Sequence, residues 1–454
     1  MATAMELPKI DPYLTESDQI LLKDLYQDIK QTNASNQDTT KHNPETTTTS
    51  AITRLKALND PTSPSFSPTV FVSWDTTSLP LILQTHLIHP YARLATTIVR
   101  HPTDIVFLTH ILLYLTILLP SALYLFHAFT YLHAITHLIF TIWCAGGYTL
   151  MLHNHIHNNG VLAPAYKWLD FSFPYVLSPL LGHSWDSYYY HHVKHHHVEG
   201  NGPDDLSSTL RYQRDEVWDF AQYVGRFLFF VWLDLPLYFL RKGKYNLAIR
   251  SFGSEMASFG FMAAMSTYFD TRAAIFTLIL PFVVLRLGLM VGNWGQHALV
   301  DEVEPDSDYR SSITLIDVAS NRFSFNDGYH TAHHLNPLRH WRDQPVHFLS
   351  SKKIYASNHA LVFSHIDYIF LTITLLRKDY DKLARCLVPM GEEQVRWTLE
   401  ERVEVLKRKT RRFGEEEIGK KFARKEGRKP AVKKGVQGWV GKLEAWAKKM
   451  GAVR

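Results

Sequence analysis

Cysteine is almost missing from this chain of 454 residues, which has only Cys144 and Cys386. Two thiols, one inside an apolar run and one in a basic region, make neither a disulfide framework nor a thiolate metal cage. An apolar leader is missing too. Residues 1–30 carry Glu, Asp and Lys, so no cleavable signal peptide is expected and any membrane insertion falls to internal segments. Charge is missing from one long stretch: between Ile105 and Tyr166 there is no Asp, Glu, Lys or Arg. That length covers two membrane spans of about 20 residues each. The mean hydropathy of −0.14 hides this, because the polar residues are concentrated at both ends.

What is present organises the chain into three parts. Residues 1–75, with Thr46-Thr47-Thr48-Thr49 and many Ser, Asn and Pro, read as a disordered polar arm, with room for a short helix from Asp18 to Ile29. Residues 76–376 read as a membrane domain. Its first two spans fall at Ile105–Leu125 and Phe129–Met151, joined by a tight turn after Pro120 and Ser121. Two more fall at Leu247–Phe269 and Ala273–Trp294, since Arg250, Glu255 and Arg286 can be accommodated near span ends. Trp218–Leu240, with Asp219, Arg226 and Asp234 among aromatics, reads as an interfacial amphipathic helix. Residues 377–454 form a basic tail, including Lys407-Arg408-Lys409 and Lys433-Lys434, which the positive-inside tendency puts in the cytosol. Trp439, Leu443 and Trp446 recur near helical spacing there, as in a helix on anionic lipid or a solvated charged tail. Nucleic acid is not an expected partner beside membrane spans. The fold class expected is an all-α integral membrane protein. It has four transmembrane helices in two hairpins, both termini cytosolic, and a cytosolic helical cap.

The chain has 25 histidines, and three clusters of them stand out: His153-Asn154-His155-Ile156-His157, His191-His192-Val193-Lys194-His195-His196-His197 and His330-Thr331-Ala332-His333-His334. Spacings of three and four put imidazoles on one helical face, and neutral imidazole is a common ligand for iron, copper and zinc. So many, with no matching cysteines, point to a multi-histidine metal centre. His153 and His157 are one such pair, and His330, His333 and His334 are another set. The middle cluster has two registers: His192, His195 and His196, or His192, His196 and His197, with His191 a further candidate. Asn293-Trp294-Gly295-Gln296-His297 closes the fourth span and adds His297, with Asn293 one turn before it. With two hairpins, all these groups emerge on one side of the bilayer.

Other histidines carry a plainer reading. His133 and His137 lie a hydrocarbon thickness before His153 and read as helix-packing residues. His110, His127, His340, His347, His359 and His365 have no cluster partner and read as structural. His155 is offset from the His153/His157 face and reads as a supporting group, while His183 stays undecided. Glu199, Asp204, Asp205 and Asp327 are candidates to accept the far N–H of a ligating imidazole, or are plain loop acids.

In order, H-x3-H, H-x2/3-HH, N-x3-H and H-x2-HH interleaved with two hydrophobic hairpins resemble the membrane fatty acid desaturase and hydroxylase superfamily over residues 100–370. The resemblance implies a cytosolic non-haem diiron centre. Two irons would be held by His153, His157, His192, His195, His196, His297, His330, His333 and His334, with His197 an alternative ligand in the second box and Asn293 reaching one iron through water. No His-Pro-Gly-Gly haem signature is present, so electrons are expected from a separate carrier such as cytochrome b5 or a ferredoxin. The function expected is O2-dependent desaturation of a fatty acyl chain in the endoplasmic reticulum membrane. A hydroxylase or ketolase acting on a lipid, alkane or isoprenoid would share the same ligands. A zinc-binding, non-redox membrane protein is the reading from a different class.

Overall fold

The computed structural model describes residues 10–11, 14–35, 44–72, 79–316 and 318–422. The lipid-surface helix read at Trp439–Trp446 lies outside them. Chain contacts divide the protein into two units: residues 1–112, 149–170 and 298–410, and residues 113–148, 171–297 and 411–454.

The first unit is built on a mixed helical core. Leu21, Leu22, Leu25 and Ile29 stripe one face of the helix Glu16–Ser35, and Ala51, Leu55 and Leu58 stripe the helix Pro44–Asn59. Both stripes pack into one cluster with Ile316, Tyr329, Ala332, Phe348, Tyr355 and Val362. The strands Ile313–Ile316 and Leu361–Ser364 pair in parallel, Ile313 opposite Leu361, and are buried throughout. Lys352 locks the packing from the rim. Its ammonium meets Asp24 at 2.6 Å, Thr48 at 2.8 Å, and Asp28. The short helix expected from Asp18 to Ile29 is present and longer, Glu16–Ser35, and the disordered arm expected for the rest of residues 1–75 is corrected over Pro44–Asn59. A polar average concealed two apolar faces at helical spacing.

The basic tail expected from residue 377 is likewise folded as far as Phe422. In the first unit, the helix Leu399–Lys409 opens on a capping box of Thr398 and Glu401, and the buried Lys409 ammonium bonds Asp301 at 2.9 Å and the Arg310 carbonyl at 2.8 Å. In the second, Arg211 pairs with Glu415 at 2.7 Å, and Arg412 pairs with Asp219.

Among the described residues, four helices are long and apolar enough to cross a membrane: Ile105–His127, Tyr131–Asn158, Val217–Arg241 and Thr271–His297. The first does not turn after Pro120. It absorbs the proline through a π turn at Tyr114–Leu118 and runs on to His127, so the connection lies at 128–130. A second π turn, Ile275–Ile279, precedes Pro281 in the same way. The helix Tyr245–Tyr268, where the sequence suggested the third span, is not among the four, because Arg250, Glu255 and a series of serines and glycines lower its hydropathy.

Contacts within the second unit show how these helices are used. Leu125, Ala134 and Ala273 share a cluster, so the 128–130 connection and the start of the 271–297 helix lie together. The 245–268 helix returns beside 271–297, with Phe259 against Phe282 at 5.8 Å and Glu255 against Arg286 at 2.6 Å. The 217–241 helix behaves differently. Tyr223 Oη donates to the Ser207 carbonyl at 3.3 Å, and Tyr238 Oη donates to Glu199 at 2.6 Å. These tyrosines are about 22 Å apart along the helix, yet both reach one short polar segment. The helix runs along its polar loop. The reading of Trp218–Leu240 as an interfacial helix is corrected to this extent: by length and composition Val217–Arg241 is one of the four helices that could cross.

An ion pair on a buried carboxylate closes the first unit. His340 Nε2 meets Asp104 Oδ2 at 2.8 Å, the Trp341 indole donates to Asp104 Oδ1 at 3.0 Å, and His101 packs on His340 at 4.8 Å. His340, read from the sequence as structural, serves the fold through this pair. Burial alone would lower His340, but the Asp104 carboxylate outweighs it and raises the imidazole above its ordinary 6.5. Burial would also raise Asp104, but His340 and the Thr103 hydroxyl hold it below 3.8.

Replacing Leu22, which is fully buried, with Ala is expected to cost about 2–5 kcal/mol, read as a lower melting temperature in detergent. The His340–Asp104 pair stabilises the fold while His340 is protonated and Asp104 ionised. Its histidine contribution is complete below pH 6.5 and is lost as pH rises through the higher folded-state value. Melting curves of wild type and His340→Gln between about pH 5.5 and 8.5 should therefore converge toward alkaline pH. A gap that stays constant across that range would refute the pairing.

Candidate metal centre

The second histidine box owes its geometry to a backbone irregularity. Ser187–His191 is an α-helix, His192–His196 is a π turn, and His197–Glu199 resumes the α-helix until Gly200 and Asn201 take positive φ. A π turn aligns residues five apart rather than four. It brings His192 Nε2 and His197 Nε2 to 3.1 Å, with ring centroids 4.6 Å apart. Imidazole–metal bonds are about 2.0–2.1 Å, so two nitrogens bound at near right angles to one ion stand about 3 Å apart. The pair has the spacing of ligands.

His196 faces the other way within this box. Its Nδ1 meets Asp205 Oδ2 at 2.7 Å, which leaves Nε2 on the side of His297, whose ring lies 5.3 Å away. Asp205 is buried and tied by the Asn201 N–H at 3.0 Å, the Ser207 N–H at 2.8 Å and the Ser207 hydroxyl at 2.7 Å. Burial would raise its pKa, but His196 and His195 hold it well below the carboxylate range. An ionised Asp205 fixes the proton of His196 on Nδ1 and makes the ring more basic toward a metal.

His195 does not join this set. It is fully buried, packs on the Tyr238 ring at 4.2 Å, and its Nε2 accepts the Leu206 N–H at 2.8 Å. His191, His195 and Asp205 offer donor atoms within 4.8 Å of one another; His195 Nε2 and Asp205 already accept hydrogen bonds, while His195 Nδ1 and His191 Nε2 are buried with no hydrogen-bond partner among the described residues. Both registers open in the sequence keep an available ring nitrogen: His192 and His197 approach at ligand spacing, His196 lies beside His297, and His195 keeps its Nδ1.

The end of the 271–297 helix is wired into the same loop. The His297 carbonyl accepts the Thr209 hydroxyl at 2.6 Å, and the buried Trp294 indole donates to the Arg214 carbonyl at 3.1 Å. Asn293 Nδ2 donates to the Ser207 carbonyl at 3.0 Å and to Tyr223 Oη at 2.6 Å, which orients its amide.

The first unit assembles its own set. His153 and His157, one turn apart, have ring centroids 4.7 Å apart, and His333 lies 4.5 and 5.0 Å from them. His153 Nε2 and His333 Nε2 approach to 3.1 Å, a second pair at ligand spacing. His330 and His334 stack edge-on at 4.4 Å. Gly328 sets up this helix. The Asn321 side chain bonds the Gly328 N–H and the Leu315 carbonyl, both at 3.0 Å, and a Cβ at Gly328 would meet Asn321 Oδ1 at 2.0 Å.

The supporting acids divide by partner. Asp205 bonds an imidazole, and Asp327 lies 3.8 Å from His153 Nδ1. Glu199 and Asp204 instead pair with Lys242 at 2.9 and 2.8 Å. His155 bonds the Asp170 carbonyl at 2.9 Å and buttresses the turn after the 131–158 helix. His133 and His137 share the Ser121 hydroxyl at 2.8 and 3.0 Å, and His183 packs between Tyr148 and Tyr188.

The fatty acid desaturase family profile matches residues 128–363, just over half of the sequence. The chain belongs to that family. The match covers all three histidine boxes and the Asn293–His297 element. No curated protein and no solved structure matches the chain. The imidazole donors, oriented by a carboxylate and paired at ligand spacing, fit a metal of the iron or zinc type.

Replacing His192, His196 or His197 with Ala is expected to weaken metal binding by the purified protein roughly 10–100-fold, while His195→Gln retains it. Metal analysis alongside melting curves separates lost ligation from lost folding. Loss of metal in His195→Gln with an intact fold would favour the register of His192, His195 and His196.

Proposed function

We propose that this chain is an O2-dependent desaturase of a fatty acyl chain. In this reading its histidine boxes hold a pair of irons at the cytosolic face of the endoplasmic reticulum membrane. The observation that supports it most is the approach of two imidazole pairs to 3.1 Å in a member of the desaturase family. His153, His157, His330, His333 and His334 of the first unit and His192, His196, His197 and His297 of the second would be the ligands, with Asn293 orienting water.

Bound iron supplies the O2 activation needed to remove hydrogen from an unactivated C–H bond. The chain's own residues do the rest. Asp205 keeps the His196 proton on Nδ1, and the buried Trp294–Arg214 contact holds the helix that presents His297. Removing two hydrogens from adjacent carbons and reducing O2 to two waters needs two further electrons and two protons. Those electrons would come from a separate carrier of the cytochrome b5 or ferredoxin type. The basic segment Lys407-Arg408-Lys409 supports a cytosolic placement.

Lipid profiles of several hosts expressing the wild type, each beside a His196→Ala control, test the reading. New double bonds dependent on His196, with about two iron atoms per purified chain, are the expected result. New hydroxyl or keto groups instead would move the assignment to a hydroxylase or ketolase. Zinc alone with O2-insensitive activity would refute both.

A further inference from the structure

The 271–297 helix carries an arginine deep within its length. Arg286 lies 15 residues from Thr271, its side chain is 7% exposed, and it faces Glu255 of the neighbouring helix, 5% exposed. Ionisable groups inside a span are costly to bury and mark a function more often than a packing need. The way this pair is made is unusual. Arginine meets a carboxylate best through two nitrogens of its fork. Here Nη2 alone takes both Glu255 oxygens, at 2.6 and 2.7 Å, and the Ser184 hydroxyl at 3.2 Å. Ser184 in turn donates to Glu255 at 2.7 Å, which completes that side. Nη1 is buried with no hydrogen-bond partner among the described residues.

The placement gives the spare donor a purpose. Arg286, Met290, Asn293 and His297 follow at steps of four, three and four, so they share one face of the helix. Arg286 is about 16 Å along that face from His297. The guanidinium packs over the Phe282 ring at 4.1 Å, so a chain lying below the histidine end would reach Nη1 only by parting the side chains that cover it. The charge on Arg286 is already balanced by Glu255, so an anion would find no net attraction. A neutral oxygen would gain a hydrogen bond from a charged donor without needing a counter-charge.

We propose that Arg286, held end-on by Glu255 and Ser184, recognises a neutral oxygen, hydroxyl or carbonyl, carried partway along a lipid chain. The inference rests on the acyl-chain reading of this site and narrows it to oxygen-bearing chains. Arg286 is a specificity residue here and takes no part in the reaction.

Binding, read by thermal stabilisation of the detergent-purified full chain, tests this without turnover. The probes are octadecanoic acid and a series of hydroxy- and keto-octadecanoic acids with the oxygen moved along the chain. At least one positional isomer is expected to half-saturate the wild type at about tenfold lower concentration than the plain acid, the worth of one hydrogen bond to a charged donor. That advantage should vanish in Arg286→Lys, which keeps the ion pair and lacks Nη1. It should also vanish in the Arg286→Met, Glu255→Met double variant, which leaves no lone charge should the lysine variant fold poorly. Plain-acid binding should be unchanged in both. If the plain acid binds and no isomer exceeds it, only water serves Nη1 and the inference fails alone. An advantage that persists in Arg286→Lys also overturns it. If no acid of either kind binds, the acyl-chain reading falls with it.

Discussion

Two imidazole nitrogens 3.1 Å apart can share one proton as a hydrogen bond, and the same spacing suits two ligands of one ion, so the rings must be held in place for either use. In this protein the holding is done by groups that never touch the metal position. A π turn advances His197 into line with His192, Asp205 pins the far nitrogen of His196, and Gly328 lets Asn321 anchor the loop before His330. The helices that frame these segments are placed by the same contacts. The polar loop 199–215 bonds the ends of both the 217–241 and 271–297 helices, through Tyr223, Tyr238, Thr209 and Arg214.

The chemistry was legible in the sequence because metal ligation needs a residue type and a spacing, and both are local. The intervals between His153 and His157, and among His330, His333 and His334, are enough by themselves to mark turns of a helix. The middle box could not be settled that way. Its seven residues offer two registers at equal helical spacing, and the features that set them apart, a π turn and the Leu206 N–H on His195, have no sequence signature. Asp205 was one of four candidate acids, and only its contact with His196 separates it from Glu199 and Asp204, which serve Lys242.

The fold was legible where apolar runs were long and failed where averages misled. The uncharged stretch from Ile105 announced two long helices, but not that Pro120 would be carried inside the first. The amino-terminal region looked unstructured because threonine and asparagine dominate its composition. Its folding depends on a minority of leucines at the right spacing, and on partners some 300 residues further on, such as Phe348 and Tyr355. The pairing of Asp104 with His340 was invisible for the same reason: both residues are ordinary until the chain brings them together.

The two wide turns ahead of Pro120 and Pro281 have a mechanical meaning. In each case the slack turn ends two residues before the ring, so the helix passes the proline by loosening its pitch and keeping its course. A rod with one loosened winding flexes there and stays stiff elsewhere. Each of these two apolar helices carries one wide turn ahead of its proline and regular α-helix beyond it. The irregular winding and the regular winding are thus assigned to different stretches of the same helices.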